Sequence, residues 1–269
     1  MYFSYLYIYD FNLNISKYLI YMSNQNNDSL INFPIINKKR LIKDIVEIMQ
    51  KPLTSHGIFY KHSDTNLSIG YAMLIGPKGT PYENGMYFFK FKFNANYPFE
   101  PPHLTYLTNG DRIRFNPNLY TNGKVCLSIL NTWRGESWTS CQTISTILLT
   151  LITVLNDTPL LNEPGVKKSH NDFNNYNKII EWSNINIAIC RILNHKSFEI
   201  YRNMFLNDII AHINNNKQHI INKIKNNIKI FKKPTNISTN IYFMNNINVN
   251  YMQMLITFND ILDKFLNKK

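Results

Sequence analysis

Residues 86–94, MYFFKFKFN, put Tyr87, Phe89, Phe91 and Phe93 in strict alternation with Phe88, Lys90, Lys92 and Asn94. A period of two sends successive side chains to opposite faces of an extended chain. This stretch is therefore a strand with one aromatic and one mostly polar face, and the fold must cover four rings. Two strand-like runs come before it, GIFYKH and LSIGYAMLIG, and the second enters a Gly/Pro-dense turn, PKGTPYENG. After it, NYPFEPPHLTYLTNG carries three prolines, which exclude helix, and leads into a last short strand at HLTYLT. Strands joined by short turns predict a four-stranded antiparallel meander.

Helical periods flank these strands. In NKKRLIKDIVEIMQ, Leu41, Ile45 and Ile48 share a face and Pro52 ends the helix. SCQTISTILLTLITVLN carries the stripe Ile144, Ile147, Leu148, Leu151 and Leu155, and NDFNNYNKIIEWSNINIAICRIL reads as one or two more helices. SFEIYRNMFLNDIIAHI is amphipathic, and YMQMLITFNDILDKFLN shows a seam of Leu255, Phe258, Leu262 and Phe265. Residues 211–249 are rich in Asn and Lys without a clear period and read as a linker. The expected class is α+β, with a leader of unknown role at 1–36, a core at 37–194 and a C-terminal helical extension at 195–269. The leader has no basic start before an apolar run, and Asp10, Asn12, Asn14 and Lys17 interrupt it. It reads poorly as a signal peptide or as a membrane span.

The formal net charge of +12 invites acidic partners, which could be nucleic acid, an anionic membrane or an acidic protein surface. Most of the lysines sit among asparagines and read as solvated surface. No RNA-binding motif, zinc-finger spacing or arginine-rich arm accompanies them, so neither nucleic acid nor a membrane is the expected partner. Three scattered cysteines, Cys126, Cys141 and Cys190, argue for a reducing compartment, and with no CxxC pair a metal site is not expected.

Between HLTYLT and Thr139 the chain has no sustained period, and long irregular segments are often functional. Inside lies NPNLYTNGKVCLSIL, with Cys126 in an apolar setting just after a turn. Such a cysteine is most often an inert core residue. As a hydrolytic nucleophile it would need a base. None of His56, His62, His103, His170, His195, His212 and His219 stands in a protease-like context. An acyl carrier demands less: access, a dry setting and a donor for the tetrahedral oxyanion. Asn118, eight residues before Cys126 across the Asn122-Gly123 turn, is such a donor.

These residues resemble the core of ubiquitin-conjugating enzymes. That family's pattern is Tyr-Pro-Phe with paired prolines, then His-Pro-Asn, then, eight residues past its asparagine, Cys-Leu-x-Ile-Leu, then a tryptophan. Here stand Tyr97-Pro98-Phe99-Glu100-Pro101-Pro102, Asn116-Pro117-Asn118, Cys126-Leu127-Ser128-Ile129-Leu130 and Trp138. The resemblance implies that Cys126 carries the modifier as a thioester and that Asn118 stabilises the oxyanion. It implies that Lys39, Arg40 and Lys43 meet the activating enzyme, and that Pro98 and Phe99 belong to the ligase-docking surface. The implied partners are ubiquitin or a ubiquitin-like modifier, the activating enzyme, a ligase and a protein substrate. No cofactor is implied, since ATP is consumed by the activating enzyme, and the implied location is cytoplasm or nucleus.

Departures from the pattern matter too. The family's histidine is Asn116, and because that histidine mostly orders the loop its loss need not cost chemistry. Four extra residues separate Cys126 from Trp138, bringing in NTWRGES, and Ser140 replaces the usual proline. The family's acid after the long helix falls near Leu161 and Asn162, with Asp157 a substitute. Asn-Pro-Asn, the Thr-Trp-x-Gly insertion and Asn162-Glu163-Pro164-Gly165 resemble the family's Z-type subgroup, which also carries C-terminal helices. The alternatives left open are a catalytically weak or inactive scaffold that binds ubiquitin non-covalently, a cysteine hydrolase and a nucleic-acid binder.

Overall fold

Helix α1 (Ile35–Gln50) buries Leu41, Ile45 and Ile48 on one face, as the spacing predicts, and leaves Lys39 and Lys43 in solvent. The structure, a computed structural model, describes residues 33–267. The leader expected at 1–36 lies outside the described residues up to position 32. Four strands follow: β1 (Ile58–His62), β2 (Ile69–Ile75), β3 (Met86–Lys92) and β4 (His103–Tyr106). They pair in sequence order, every neighbour antiparallel, which is the expected meander. Tyr87, Phe89, Phe91 and Phe93 all lie in the core, where Tyr87 meets Tyr82 and Phe115, Phe89 meets Tyr106, Phe91 stacks on Phe93, and Phe93 meets Tyr97 ring to ring.

Helix α2 (Ile144–Val154) begins at a capping box in which Thr143 and Thr146 satisfy each other's backbone N–H groups, and it buries Ile144, Ile147, Leu148 and Leu151. Helix α3 (Phe173–Ser183) runs into a π-helical stretch, Asn184–Arg191, and a closing turn, Ile192–Asn194. The wide turns place Asn184, fully buried, against the sheet. Its Oδ1 accepts from Tyr87 Oη (2.6 Å) and its Nδ2 donates to the Glu83 carbonyl (2.9 Å). Gly85 is required beside it, because a Cβ there would stand 1.8 Å from Asn184 Oδ1.

The Asn/Lys-rich stretch expected as a linker is ordered. After α4 (Glu199–Met204), helix α5 spans Leu206–Ile230, and a hairpin of β5 (Thr235–Thr239) and β6 (Met244–Val249) leads to α6 (Tyr251–Leu266). Helix α5 buries Ile209, Ile213, Ile220, Ile224 and Asn227, only four apolar residues over about seven turns. That stripe is easily lost among asparagines, which are weak helix formers. The buried face of α6 is Tyr251, Met254, Phe258, Ile261 and Leu262. It is rotated from the expected seam, so Leu255 and Phe265 sit at its margin.

Helix α4 and the start of α5 cover part of the outer sheet face. Phe205 stacks on Phe88 (centroids 5.9 Å, 21°), and Tyr201 meets Phe88 and Tyr71. This is why Phe88, the one ring on the polar side of β3, is buried. Phe205→Ala should remove about 3–5 kcal/mol of unfolding free energy, a loss read as a lower denaturant midpoint. A second expectation concerns pH. Burial pushes His62 down to about 4 from its usual 6.5. The folded state thus binds fewer protons than the unfolded state between those values, and stability falls as pH drops from about 6.5 toward 4. His62→Gln should flatten that part of the stability–pH curve relative to the parent chain.

Candidate active site

The irregular segment after β4 is built around a short turn. Leu119 N–H donates to the Asn116 carbonyl (2.9 Å), Gly123 takes φ +89° as the chain reverses, and Tyr120 pairs with Lys124. The reversal returns Cys126 to Asn118. Cys126 N–H donates to the Asn118 carbonyl (2.9 Å), and Asn118 Nδ2 donates to the Cys126 carbonyl (2.7 Å). The two residues expected to act together are thus joined by two hydrogen bonds. The loop-holding role of Asn118 is part of the geometry.

Asn116 lies beneath them, fully buried. Its Nδ2 donates to Tyr82 Oη (2.8 Å) and to the Val154 carbonyl at the end of α2 (2.7 Å). Its Oδ1 accepts from Asn118 N–H (3.0 Å) and Asn162 Nδ2 (3.3 Å). An amide offers two donors and two principal lone pairs, so Asn116 is satisfied in full. Asn162 is committed to this framework as well: besides Asn116 it donates to the Val154 carbonyl (3.0 Å) and accepts from Asn156 (2.9 Å). Asp157 is exposed, its carboxylate bonded to Thr158 Oγ1 (3.2 Å).

Two further residues, invisible to motif reading, complete the frame. Arg114 donates from Nε to the Asn116 carbonyl (3.1 Å) and from Nη2 to the Pro117 carbonyl (2.7 Å). Its guanidinium lies 3.2 Å from the Tyr120 ring centroid and 5.0 Å from that of Tyr242. Tyr242 belongs to the C-terminal hairpin and its hydroxyl donates to Glu163. A cation two residues before Asn116 is a faint local signal, and its ring partner lies in the stretch read as linker.

Cys126 itself is only 1% exposed. The extra residues before Trp138 fold back over the backbone on both sides of it. Thr132 Oγ1 donates to the Val125 carbonyl (2.8 Å) and accepts from Leu127 N–H (3.0 Å). Of the other cysteines, Cys141 is exposed, while Cys190 is buried and its thiol is pushed up to about 12 by that burial.

The surfaces expected to meet partners divide. Lys39 and Lys43 are exposed, but Arg40 clasps the loop after Trp138. It bonds Asp44 (2.9 Å) and the carbonyls of Ser140 (2.5 Å) and Gln142 (2.9 Å). Phe99 is 69% exposed, whereas Pro98 is buried and its carbonyl accepts from Trp138 Nε1 (2.7 Å).

Thiol labelling tests this arrangement. Iodoacetamide should modify Cys141 first and Cys190 last, with Cys126 between. Thr132→Val and Tyr242→Ala should each raise the rate at Cys126 about tenfold by loosening the loop, an opening cost near 1.4 kcal/mol. Peptide mapping by mass spectrometry reads all three sites.

Residues 40–183, more than half of the chain, match the family model described as ubiquitin-conjugating enzyme. Among curated proteins the chain is 38% identical over 160 residues to ubiquitin-conjugating enzyme E2 Z of Xenopus tropicalis, covering 58% of this chain and 50% of that protein. The Homo sapiens protein of the same name gives the same identity over 160 residues, covering 58% of this chain and 45% of that protein. A putative ubiquitin-conjugating enzyme E2 39 of Arabidopsis thaliana is 40% identical over 141 residues, 49% of this chain and 43% of that protein. The chain thus spans about half the length of the curated relatives it matches.

Proposed function

Because the chain belongs to the ubiquitin-conjugating enzyme family, we propose that it takes a modifier from an activating enzyme onto Cys126 and passes it to a lysine of a protein substrate. The modifier is ubiquitin or a ubiquitin-like protein. The double hydrogen bond between Asn118 and the Cys126 backbone supports this reading best, because it sets an amide donor at the residue whose thiol would carry the acyl group.

In the first step the Cys126 thiolate attacks the carbonyl carbon of the activating enzyme's thioester. The new C–S bond forms to Cys126 Sγ, the old C–S bond breaks, and the activating enzyme's cysteine leaves with the electron pair. In the second step a lysine amine attacks the Cys126 thioester. A C–N bond forms, the C–Sγ bond breaks, Sγ leaves as thiolate and the amine's proton passes to solvent or a nearby base. Both steps go through a tetrahedral oxyanion. Asn118 Nδ2 has a second N–H besides the one on the Cys126 carbonyl, and that N–H is the donor available to it. Asn162 is an amide and cannot take the proton, which leaves the exposed Asp157 carboxylate as the candidate. The scheme needs no metal or organic cofactor of the chain's own, since ATP is consumed upstream. It suits cytoplasm or nucleus, where the thiols stay reduced.

The first step also requires movement. With Cys126 1% exposed, part of its surround must move before a protein thioester can reach Sγ, and the segment at Thr132, bonded to the backbone on both sides of Cys126, is the candidate. That burial favours a second reading, a scaffold of low activity that binds ubiquitin non-covalently.

A charging assay decides. Incubation with ATP, ubiquitin and a panel of activating enzymes should give, on non-reducing gels, a band heavier by one modifier. It should vanish with thiol reductant and in Cys126→Ala. Asn118→Ala should still charge, while discharge of its thioester to free lysine slows by about 10²–10³. A folded chain that no activating enzyme charges would favour the scaffold.

A further inference from the structure

A single row of paired residues crosses the outer sheet face: Lys61 opposite Tyr71, Tyr71 opposite Lys90, Lys90 opposite Thr105, and Thr105 bridged to Lys124. Directly paired residues share a face, so these side chains stand side by side. Lys92 opposite His103 begins the next row. The half of the face nearest β1 is closed by the chain's own C-terminal segment, and how it is closed is informative. Lys61 Nζ donates to the Met204 carbonyl (2.7 Å) and lies 3.5 Å from Asp208 and 5.4 Å from the Phe205 ring centroid, while Tyr201 covers Tyr71. A backbone carbonyl, a carboxylate and an apolar ring are what this surface accepts from its own chain.

The other half is open. It forms a groove of about 890 Å³ rimmed by Lys90, Lys92, His103 and Lys124, with Val125 and Leu130 at its apolar side. Among the described residues no Asp or Glu lines it; Glu100 lies at one margin, bonded to Asn94 (3.0 Å). Lys124 and Val125, the two residues before Cys126 in sequence, are among its lining.

We propose that this groove receives an acidic, partly apolar peptide segment of the acceptor protein, holding a nearby lysine at the Cys126 thioester. The substrate class is lysines flanked by Asp or Glu together with an aliphatic or aromatic residue. The proposal rests on the thioester reading for its catalytic meaning and on the groove alone for binding. Lys90 and Lys124 are two strand spacings apart, about 10 Å, and an extended peptide advances about 3.3 Å per residue. Side chains two residues apart share one face of an extended peptide at about 6.6 Å, and the long Lys and Glu side chains span the remaining ~3 Å, so two carboxylates at i and i+2 reach both cations.

Two labelled peptides test this. Both have a central lysine and one leucine; the first carries two glutamates two residues apart, on one face of the extended chain, the second glutamines in their place. Fluorescence anisotropy on the full, uncharged chain should show the acidic peptide binding about tenfold tighter at low salt, with the advantage shrinking as salt rises. Lys90→Glu with Lys124→Glu should abolish or reverse that ratio. Lys225→Glu with Lys229→Glu, on the exposed side of α5, changes net charge equally and should preserve it. With the charged protein, the same ratio should appear in single-turnover discharge of the thioester, read within each variant so that any general loss cancels.

Equal binding of the two peptides, or equal loss in both double variants, overturns the proposal. Tighter binding of a single-stranded oligonucleotide than of the acidic peptide, lost only in the groove variant, also overturns it and assigns the cations to nucleic acid. A chain that binds the acidic peptide selectively but never charges leaves the groove standing and fells the thioester reading instead.

Discussion

The buried amide of Asn116 is the joint on which the candidate site depends. Its four hydrogen bonds reach four different places: the turn before β3 through Tyr82, the end of α2 through Val154, the segment after α2 through Asn162, and the backbone of Asn118. Each bond is modest alone. A buried amide left without any one partner would cost about 1–3 kcal/mol, so the set holds together as a unit. Asn118 inherits its position from this joint, and Cys126 from Asn118. The change from the family's histidine to asparagine is thus accompanied by a neighbourhood fitted to an amide. Tyr82 shows the fit: its hydroxyl accepts from Asn116 while donating to the Phe115 carbonyl (2.6 Å).

The C-terminal segment belongs to this machinery. Asp172, at the start of α3, accepts from the N–H groups of Asn240 and Ile241 (3.0 and 2.9 Å) and so fixes the tip of the β5–β6 hairpin. Tyr242 and Phe243 then take φ of 61° and 51°, a conformation that bulky residues adopt only under compulsion. The turn sends Tyr242 inward, onto Tyr176, Arg114 and Glu163, and leaves Phe243 85% exposed. Arg114 in turn holds the carbonyls of Asn116 and Pro117. A hairpin more than a hundred residues downstream in sequence therefore braces the loop that holds Asn118 and Cys126.

What was legible beforehand follows from the range of each interaction. The β3 alternation and the α1 and α2 stripes are local, and the structure reproduces them because burying one face of a strand or helix leaves few other options. The pairing of Asn118 with Cys126 was legible from eight residues of spacing across an Asn-Gly turn. Helix α5 was legible only as far as Ile213, the end of the amphipathic SFEIYRNMFLNDIIAHI; its remainder was not, because its stripe of isoleucines is thin and asparagine opposes helix. Arg40 illustrates a different limit. Residue type and position suggested a cation for a partner, yet Asp44 and two carbonyls of a loop a hundred residues away engage it. The role of Tyr242 was beyond reach, since nothing near it in sequence announces Arg114.

The division of the outer sheet face bears on how transfer could proceed without the family's acid. Asn162 is held in the Asn116 network and carries no charge, so it cannot favour the amine of an incoming lysine by taking its proton. In the proposed transfer, cations near Cys126 act on the same equilibrium from the other side. Like charge destabilises an ammonium relative to the neutral amine and lowers its pKa. Lys124, two residues before Cys126, is one such charge. On its own this would also repel the lysine. Carboxylates on the acceptor segment that neutralise Lys90 and Lys124, as Asp208 meets Lys61 across the same row, remove the repulsion and with it the lowering of the pKa. Under the proposal, acidic flanks therefore act in holding the acceptor, and the proton that the amide of Asn162 cannot take is left to Asp157 or to solvent.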